Sequence, residues 1–229
     1  WITMKSRRKE GVSLIVPTYD EKENIPILVK EVFEVLSKMG VMSEIVVVDD
    51  NSPDGTGKIA DALARRYSKD SRRNVKVIHR KGKLGLGTAV VEGFAKARYD
   101  ILGVMDADLQ HPPKKVKDVV SPVLEGKADY SIGSRYVEGG SPGEEWSIIR
   151  KIISRVATSL AGPITDAKDP MSGFFFLKRE VIEDVELEPK GYKINLEILA
   201  KGNYSKLVEV PFMFRQREHG KSKLKLKEY

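Results

Sequence analysis

The chain has 229 residues, of which 41% are hydrophobic and 32% charged, so it can fold as a globular protein with a sizeable core. It contains no cysteine, which excludes disulfides, thiolate zinc sites and cysteine nucleophiles. Its formal net charge of +7 favours anionic partners such as phosphates, nucleic acid or an acidic membrane surface.

Strands and helices are predicted to alternate through the first part of the chain. Apolar runs that end at turn residues predict strands, and apolar residues that recur every three or four positions predict helices. The predicted strands are 12–16, 44–48, 74–78, 101–105 and 128–132, and the predicted helices are 24–39, 56–68, 87–98 and 113–124. Asn24 is expected to cap the first helix. This alternation predicts an α/β fold with a mostly parallel central sheet and helices on both faces.

The pattern changes in the C-terminal third of the chain. Residues 137–147 contain three glycines, a proline and Trp146, and are predicted to form a mobile loop. The remaining predicted elements are helices 148–160 and 194–201 and strands 174–177 and 207–214. Strand 207–214 is expected near a sheet edge, because Pro211 cannot donate to a ladder. Helix 148–160 is amphipathic, so it either packs on the sheet or lies in a membrane interface with Trp146 as its anchor.

The segment Met105-Asp106-Ala107-Asp108-Leu109-Gln110 carries the most informative chemistry. Asp106 and Asp108 directly follow predicted strand 101–105, and residues two apart in an extended backbone point the same way. Two adjacent carboxylates repel unless a cation lies between them, and Mg²⁺ or Mn²⁺ is suited to carboxylates together with substrate phosphates. The amide oxygen of Gln110 can add a neutral ligand. The alternative is a solvated turn that carries two ordinary acids.

Other candidate residues also follow predicted strands, where open α/β sheets bind their ligands. Pro17 and Tyr19 follow the first strand and Asp50 follows the second, so the Asp50 carboxylate can accept hydrogen bonds from a base or a ribose. A simple turn is an equally good interpretation of Asp50. Gly85 and Gly87 open a helix that could hold a phosphate, although a tight turn is the better interpretation of these glycines.

Basic residues occupy alternate positions near the C-terminus: Arg215, Arg217, His219, Lys221, Lys223, Lys225 and Lys227. If this stretch is extended, one basic edge can contact a diphosphate or an anionic leaflet, the latter worth about 1 kcal/mol per basic residue. Arg217 and Lys223 are the stronger candidates, because Gly220 allows the segment to fold over a substrate. For Lys225 and Lys227 a solvated tail is the alternative.

The sequence shows no apolar run near the about 20 residues that cross a bilayer, and no secretory signal in its basic and polar start. It stops in Lys-Leu-Lys-Leu-Lys-Glu-Tyr, which is more typical of an interruption than of a domain end. We therefore expect further residues beyond Tyr229, with a membrane segment among them. The three histidines, His79, His111 and His219, are too scattered to predict a zinc cluster.

Together these motifs resemble glycosyltransferase family 2 and its GT-A fold, and in particular its polyprenyl-phosphate branch. The family motifs are 17–21, 49–56, 85–89 and 105–108, and those of the branch are 133–136, 169–174, 191–194 and 217–224. The resemblance implies a Rossmann-like sugar-nucleotide fold, transfer of mannose from GDP-mannose to a dolichyl or polyprenyl phosphate, and inversion to a β-linked product. It also implies action at the cytoplasmic face of a membrane, and no nucleic-acid partner.

The same resemblance assigns roles to individual residues. Guanosine-binding positions are Pro17, Tyr19, Glu21, Val48 and Asp50; the metal and sugar-nucleotide centre is Asp106, Ala107, Asp108 and Gln110; the phosphate clamp is Arg135, Arg217 and Lys223. Asp108 and Arg135 are implied to be catalytic. The chain is expected to be one domain, 1–229, in which about 11–135 bind the nucleotide and about 136–229 bind the acceptor. Asp20 departs from the family pattern, where Asn is common.

Three other functions remain as alternatives. A polyprenyl-phosphate glucosyltransferase that uses a UDP-sugar would share most of the motifs. An NAD-binding oxidoreductase would account for the glycine-rich turn but leaves the pair Asp106 and Asp108 unexplained. A nucleic-acid binder would account for the net charge, but it predicts aromatic residues among the basic ones, and only Phe212 and Phe214 lie close to them.

Overall fold

The computed structural model describes residues 9–143, 162–163, 165–189, 191 and 193–217. The strands are β1 (Val12–Thr18), β2 (Ser43–Asp49), β3 (Arg73–His79), β4 (Ile101–Val104), β5 (Tyr130–Ser134), β6 (Phe175–Lys178) and β7 (Leu207–Pro211). The helices are α1 (Asn24–Lys38), α2 (Thr56–Tyr67), α3 (Leu86–Lys96), α4 (Val116–Leu124) and α5 (Ile194–Lys201), with short 3₁₀ turns at Pro113–Lys115 and Arg179–Val181. Among these residues, no helix combines the length and the apolar character needed to cross a membrane.

The seven strands form one sheet in the order β3-β2-β1-β4-β6-β5-β7. β1 pairs in parallel with β2 and β4, β2 with β3, and β5 with β7, whereas β6 is antiparallel to β4 and β5. The predicted α/β class with a mostly parallel sheet is therefore confirmed, as is the edge position of β7. The carboxyl ends of β1, β2 and β4 lie side by side, which brings the segments that follow them to one edge of the sheet.

Two apolar layers cover the sheet, because the central strands are apolar on both faces. On one face, Leu14 and Val47 belong to a cluster with the apolar sides of α1, α2 and α4. On the other face, Ile15 and Val48 belong to a cluster with α3 and α5. Alternation of side chains along each strand thus places neighbouring residues of β1 in different layers, with helices on both sides as predicted.

Several predicted elements begin or end at other residues than expected. Strand 101–105 stops at Val104, and strand 128–132 is displaced to Tyr130–Ser134. Helix 113–124 begins with a 3₁₀ turn, and its α-helical part starts only at Val116. Strand 207–214 ends at Pro211, after which Met213 forms only an isolated bridge, with Ser141.

The predicted cap of α1 was also wrong. Asn24 is the first residue of the helix and makes no capping bond; its side-chain amide donates to the Glu21 carboxylate at 2.6 Å. The predicted helix 148–160, Trp146, and the basic residues from His219 onward, including Lys223, lie outside the described residues.

Candidate active site

The two carboxylates after β4 lie in a turn rather than in an extended strand. β4 ends at Val104, Ala107 and Asp108 form a turn, and Leu109 has a positive φ of 61°. The expected extended geometry was therefore wrong. The turn nevertheless keeps the acids close, because the charge of Asp108 contributes to the pKa of Asp106.

Asp106 lies where a negative charge is costly. The pKa of Asp106 is raised to about 8. Burial is the largest cause and the neighbouring Asp108 carboxylate the next, while the charges of Arg217 and Arg135 act to lower it. Solvent still reaches 31% of its side chain. Gly173 packs against this carboxylate so closely that a Cβ there would lie 3.0 Å from Oδ2. A divalent cation would counter both causes of the raised pKa.

Asp108 is held by the C-terminal segment. Its Oδ2 accepts a hydrogen bond from Nη2 of Arg217 at 2.6 Å, and its Oδ1 accepts one from the backbone N–H of Gln110 at 3.1 Å. Arg217 Nη1 also lies 3.5 Å from Oε1 of Glu21. One guanidinium therefore joins the acidic turn to the segment after β1.

The path of the C-terminal segment explains how Arg217 arrives there. The backbone N–H of Arg215 donates to the carbonyl of Gln110 at 2.9 Å, and Nε2 of Gln110 donates to the carbonyl of Arg215 at 3.0 Å. Phe214 donates to the carbonyl of Ser141 at 2.9 Å. We call residues 212–217 the strap, because these bonds fix it across the acidic turn.

Arg135 follows β5 and is paired with Asp169, to which the sequence had given no role. The carboxylate of Asp169 accepts from Nε at 2.8 Å, from Nη2 at 2.7 Å and from the backbone N–H of Arg135 at 2.9 Å. Burial acts to lower the pKa of Arg135, but the hydrogen bond and charge of Asp169 raise it above its ordinary value. Arg135 is therefore a permanent cation. The charge of Asp106 also raises the pKa of Arg135.

His111 is a second residue that sequence reasoning set aside. Its ring stacks on Phe174 with centroids 5.3 Å apart, and meets the rings of Phe212 and Phe214 edge-on at 5.4 Å. Its Nδ1 lies 3.7 Å from Oδ2 of Asp106. Burial lowers the pKa of His111 to about 3, with a further contribution from the charge of Arg135, so the ring is neutral. The position of His111 in the sequence, directly after Gln110, could have identified it as a candidate site residue.

At the ends of β1 and β2, Asp50 closes the glycine-rich turn. Its Oδ1 accepts from Nη1 of Arg80 at 2.5 Å and its Oδ2 from the backbone N–H of Gly85 at 3.0 Å. The carboxylate thus takes one of the N–H groups that a phosphate could use at this turn, in agreement with the tight-turn interpretation. Lys83, in the same turn, places its ammonium 4.4 Å from the centroid of the Tyr19 ring.

The other implied nucleoside positions differ in what they present. Pro17 is half-buried and can contribute to a surface, whereas Glu21 is only 7% exposed and its carboxylate contacts Asn24 and Arg217. Val48 is fully buried, which leaves only its backbone for a ligand, and its carbonyl accepts from Oγ1 of Thr18 at 3.3 Å. Asp20 has a positive φ of 55°, a conformation that Asp and Asn both tolerate, so its departure from the family pattern has little structural consequence.

The donor chemistry of this edge fits a hard divalent cation. Across the described ranges, no three or more His, Cys, Asp or Glu side chains are grouped to hold a metal ion. Asp106 and Asp108 form a pair of oxygen donors, and Mg²⁺ is commonly bound by one or two carboxylates together with substrate phosphates. The Gln110 side chain is held by the hydrogen bond from its Nε2 to the carbonyl of Arg215 in the strap.

This strand order, with paired carboxylates after β4, is that of a GT-A glycosyltransferase. The chain belongs to glycosyl transferase family 2, whose sequence profile matches residues 13–186. It is 50% identical over 218 residues to the dolichol-phosphate mannosyltransferase of Pyrococcus furiosus, covering 93% of this chain and 59% of that protein. It is 39% identical to the dolichol-phosphate mannosyltransferase of Saccharomyces cerevisiae, covering 93% of this chain and 80% of the yeast protein.

Solved structures show the same fold at low sequence identity. Glucosyl-3-phosphoglycerate synthase of Mycobacterium tuberculosis, in complex with Mn²⁺, UDP and glucosyl-3-phosphoglycerate, has a TM-score of 0.66 at 21% identity and covers 93% of this chain and 73% of that chain. Mannosyl-3-phosphoglycerate synthase of Rubrobacter xylanophilus has a TM-score of 0.66 at 18% identity and covers 92% of this chain and 68% of that chain. The GT-A fold is therefore shown independently of the sequence motifs.

Proposed function

We propose that this chain transfers mannose from GDP-mannose to a dolichyl or polyprenyl phosphate. The observation that carries the proposal is the contact between Asp108 and Arg217, which places a carboxylate pair and a basic strap around one point. A donor diphosphate and an acceptor phosphate both need such an arrangement of cation-binding acids and positively charged side chains. The names of the archaeal and yeast relatives support this choice of substrates.

Asp106, Asp108 and the amide oxygen of Gln110 are the residues that would hold Mg²⁺ or Mn²⁺. When bound, the ion supplies Lewis-acid stabilisation of the negative charge on the departing nucleoside diphosphate. Ala107 lies between the two acids and is 4% exposed, so it offers chiefly its backbone to the sugar nucleotide. Asp108, directly bonded to Arg217, is the acid that couples this centre to the strap.

The acceptor is a phosphomonoester whose second pKa is near 6, so at neutral pH it is already a charged nucleophile. One of its oxygens forms the new bond to the anomeric carbon, the bond from that carbon to the diphosphate breaks, and the diphosphate leaves with the electron pair. Attack opposite the leaving group inverts the anomeric centre to a β-linked product. The enzyme therefore needs cations rather than a base, and Arg135 and Arg217 lower the repulsion between the two anions.

The guanosine side of the site is proposed at the ends of β1 and β2. Tyr19, Glu21 and Pro17 provide side chains, Val48 provides its backbone, and Asp50 shapes the turn that bounds the nucleoside. In this proposal residues about 11–135 bind the donor and about 136–229 the acceptor, within one domain. Lys223 extends the phosphate clamp beyond the strap.

A lipid-linked acceptor requires that the protein works at a membrane surface, and we place it at the cytoplasmic face. The net charge of +7 supports attraction to an anionic leaflet. A nucleic-acid partner does not enter the proposal, because both arginines described at the site are bonded to carboxylates, Arg217 to Asp108 and Arg135 to Asp169.

The test is transfer of radiolabelled sugar to a short-chain polyprenyl phosphate, with GDP-mannose and UDP-glucose as parallel donors. Label should move to the lipid from GDP-mannose, stop on addition of a chelator, and resume when Mg²⁺ or Mn²⁺ is restored. Transfer from UDP-glucose alone would replace mannose with glucose in the proposal. Transfer that persists in excess chelator would remove the metal from it.

A further inference from the structure

A buried carboxylate outside the implied site residues controls one of its arginines. Asp169 is fully buried and lies in the loop before β6, on the side of the sheet edge where Arg135 leaves β5. Its two oxygens accept three hydrogen bonds from Arg135, two of them from the guanidinium. The pair is bidentate, an arrangement in which a carboxylate fixes the orientation of a guanidinium as well as its position.

Asp169 is itself fixed from two other elements. Its backbone N–H donates to Oε1 of Glu209, on β7, at 3.0 Å, and Oε2 of the same carboxylate accepts from the N–H of Lys168 at 2.7 Å. Asn195, on α5, donates from Nδ2 to the carbonyl of Pro170 at 3.0 Å. The loop is therefore tied to the C-terminal part of the fold before its carboxylate reaches Arg135.

Stability alone is a poor explanation for this pair. A buried ion pair loses so much solvation that apolar residues of similar size often serve stability as well or better. Its location suggests another purpose, since the guanidinium carbon of Arg135 lies 5.6 Å from the centroid of the Phe214 ring in the strap. The charge of Arg135 also acts on Asp106 and on His111. Arg135 is thus held between the acidic turn and the strap.

We propose that Asp169 is a positioning residue that holds the Arg135 guanidinium in the orientation required to contact substrate phosphate. This inference rests on the proposed function, because it takes Arg135 to be a phosphate ligand. Arg135 has five N–H donors, and Asp169 accepts from the one on Nε and from one on Nη2, which fixes the plane of the guanidinium. Without Asp169 the long side chain regains its rotamers, and binding must order it again.

The test compares Asp169→Asn with a matched control, Asp129→Asn. Asp129 also accepts from a cation, Nζ of Lys178 at 2.7 Å, and from two backbone N–H groups, but it precedes β5 at the opposite end of that strand. Binding of GDP and of UDP in the presence of Mn²⁺ is measured by calorimetry, and KM and kcat are measured with a short polyprenyl phosphate. Asp169→Asn should raise the nucleotide dissociation constant or the acceptor KM about tenfold with unchanged stoichiometry, as expected for hydrogen bonds to charged groups. Asp129→Asn should change neither.

A double-variant cycle separates positioning from general damage. In an Arg135→Gln background, Asp169→Asn should have almost no further effect on either constant, because the group it positions is already gone. An equal effect in both backgrounds overturns the proposal. So does an Asp169→Asn protein that melts earlier but binds and turns over like the wild type.

Arg135→Lys keeps the test decisive if Asp169→Asn does not fold. Lysine preserves the charge beside Asp169 but lacks the planar fork, so binding should fall nearly as far as in Arg135→Gln. Wild-type affinity in Arg135→Lys overturns the proposal. A preference for UDP over GDP would contradict the proposed donor while leaving the comparison of variants intact, and failure to bind either nucleotide would overturn both.

Discussion

The strand-and-helix repeat before residue 135 and the C-terminal part from 165 to 217 both contribute charged side chains to the site, but they position them differently. The first region places Glu21, Asp106 and Asp108 directly after strands that pair side by side. The second supplies Arg217 from a strap without regular secondary structure, 109 residues from Asp108. It also supplies Asp169, which orients the cation Arg135.

This difference shows that the sheet positions the carboxylate pair at strand ends, whereas the counter-charge of Arg217 depends on long-range contacts. The positions of the acids follow from the local sequence, because each acid comes after a strand and the carboxyl ends of parallel strands lie at one edge of the sheet. The counter-charges depend on the whole fold, since the strap is held by Gln110 and Ser141 rather than by a partner close in sequence. The two regions should therefore respond differently to substitution.

The largest effect is expected from removing an acid of the first region. Asp108→Ala should lower the proposed mannosyl transfer about a thousandfold, because metal-assisted charge stabilisation is worth several kcal/mol. The protein should remain folded, since the change also removes a carboxylate that repels Asp106. Radiolabel transfer measures the loss of activity, and electron paramagnetic resonance measures the binding of Mn²⁺. Asp61→Ala, which removes an acid paired with His79 on the surface, is the control and should be silent. Turnover with intact metal dependence in Asp108→Ala would rule out its assigned role.

The next largest effect concerns the fold of the first region. Arg80 is 8% exposed and its Nη1 donates to Asp50, so Arg80→Met leaves a buried carboxylate with one partner fewer. The free energy of unfolding should fall by about 3 kcal/mol in urea titrations at pH 7, as is usual when one member of a buried pair is removed. Arg66→Met, on the exposed face of α2, should change it by less than about 0.5 kcal/mol. A similar small change in both variants would show that the contact with Asp50 is not stabilising.

Removal of Arg217, a positive charge of the second region, should reduce activity while the protein remains folded. Arg217→Ala should lower transfer about tenfold to a hundredfold, the range for lost hydrogen bonds to charged groups. In the absence of nucleotide, its affinity for Mn²⁺ should rise, because the guanidinium no longer competes for Asp108. Arg215→Ala is the matched control: its side chain is exposed, and the two bonds that tie it to Gln110 are made by its backbone. Equal losses in the two variants would mean that the strap acts through its general charge.

The sequence predicted the first region better than the second, for physical reasons. β1 and β2 are apolar runs buried on both faces, so hydrophobicity alone located them within two residues. The expected extended geometry at Asp106 was wrong because β4 stops at Val104 and the chain turns, with a positive φ of 61° at Leu109 that the alternation of residues does not predict. The pairing of Arg135 with Asp169, 34 residues away, could not be predicted, since many acids were equally available before the fold was known.

The smallest expected effect tests a tie between the two regions. Asp129 accepts from Lys178 on β6 and from the N–H groups of Ser205 and Lys206 before β7, and the Lys178 hydrogen bond lowers the pKa of this carboxyl below its ordinary value of 3.8. A depressed folded-state pKa means that the stabilisation is present above pH 3.8 and is lost as the pH falls through the folded-state value. Wild type should therefore exceed Asp129→Asn in free energy of unfolding by about 0.5–1 kcal/mol at pH 7, and the two should converge as the solution is acidified. Urea titrations at several pH values measure this difference, and a gap that persists at acid pH would show that shape, not charge, joins the C-terminal part to β5.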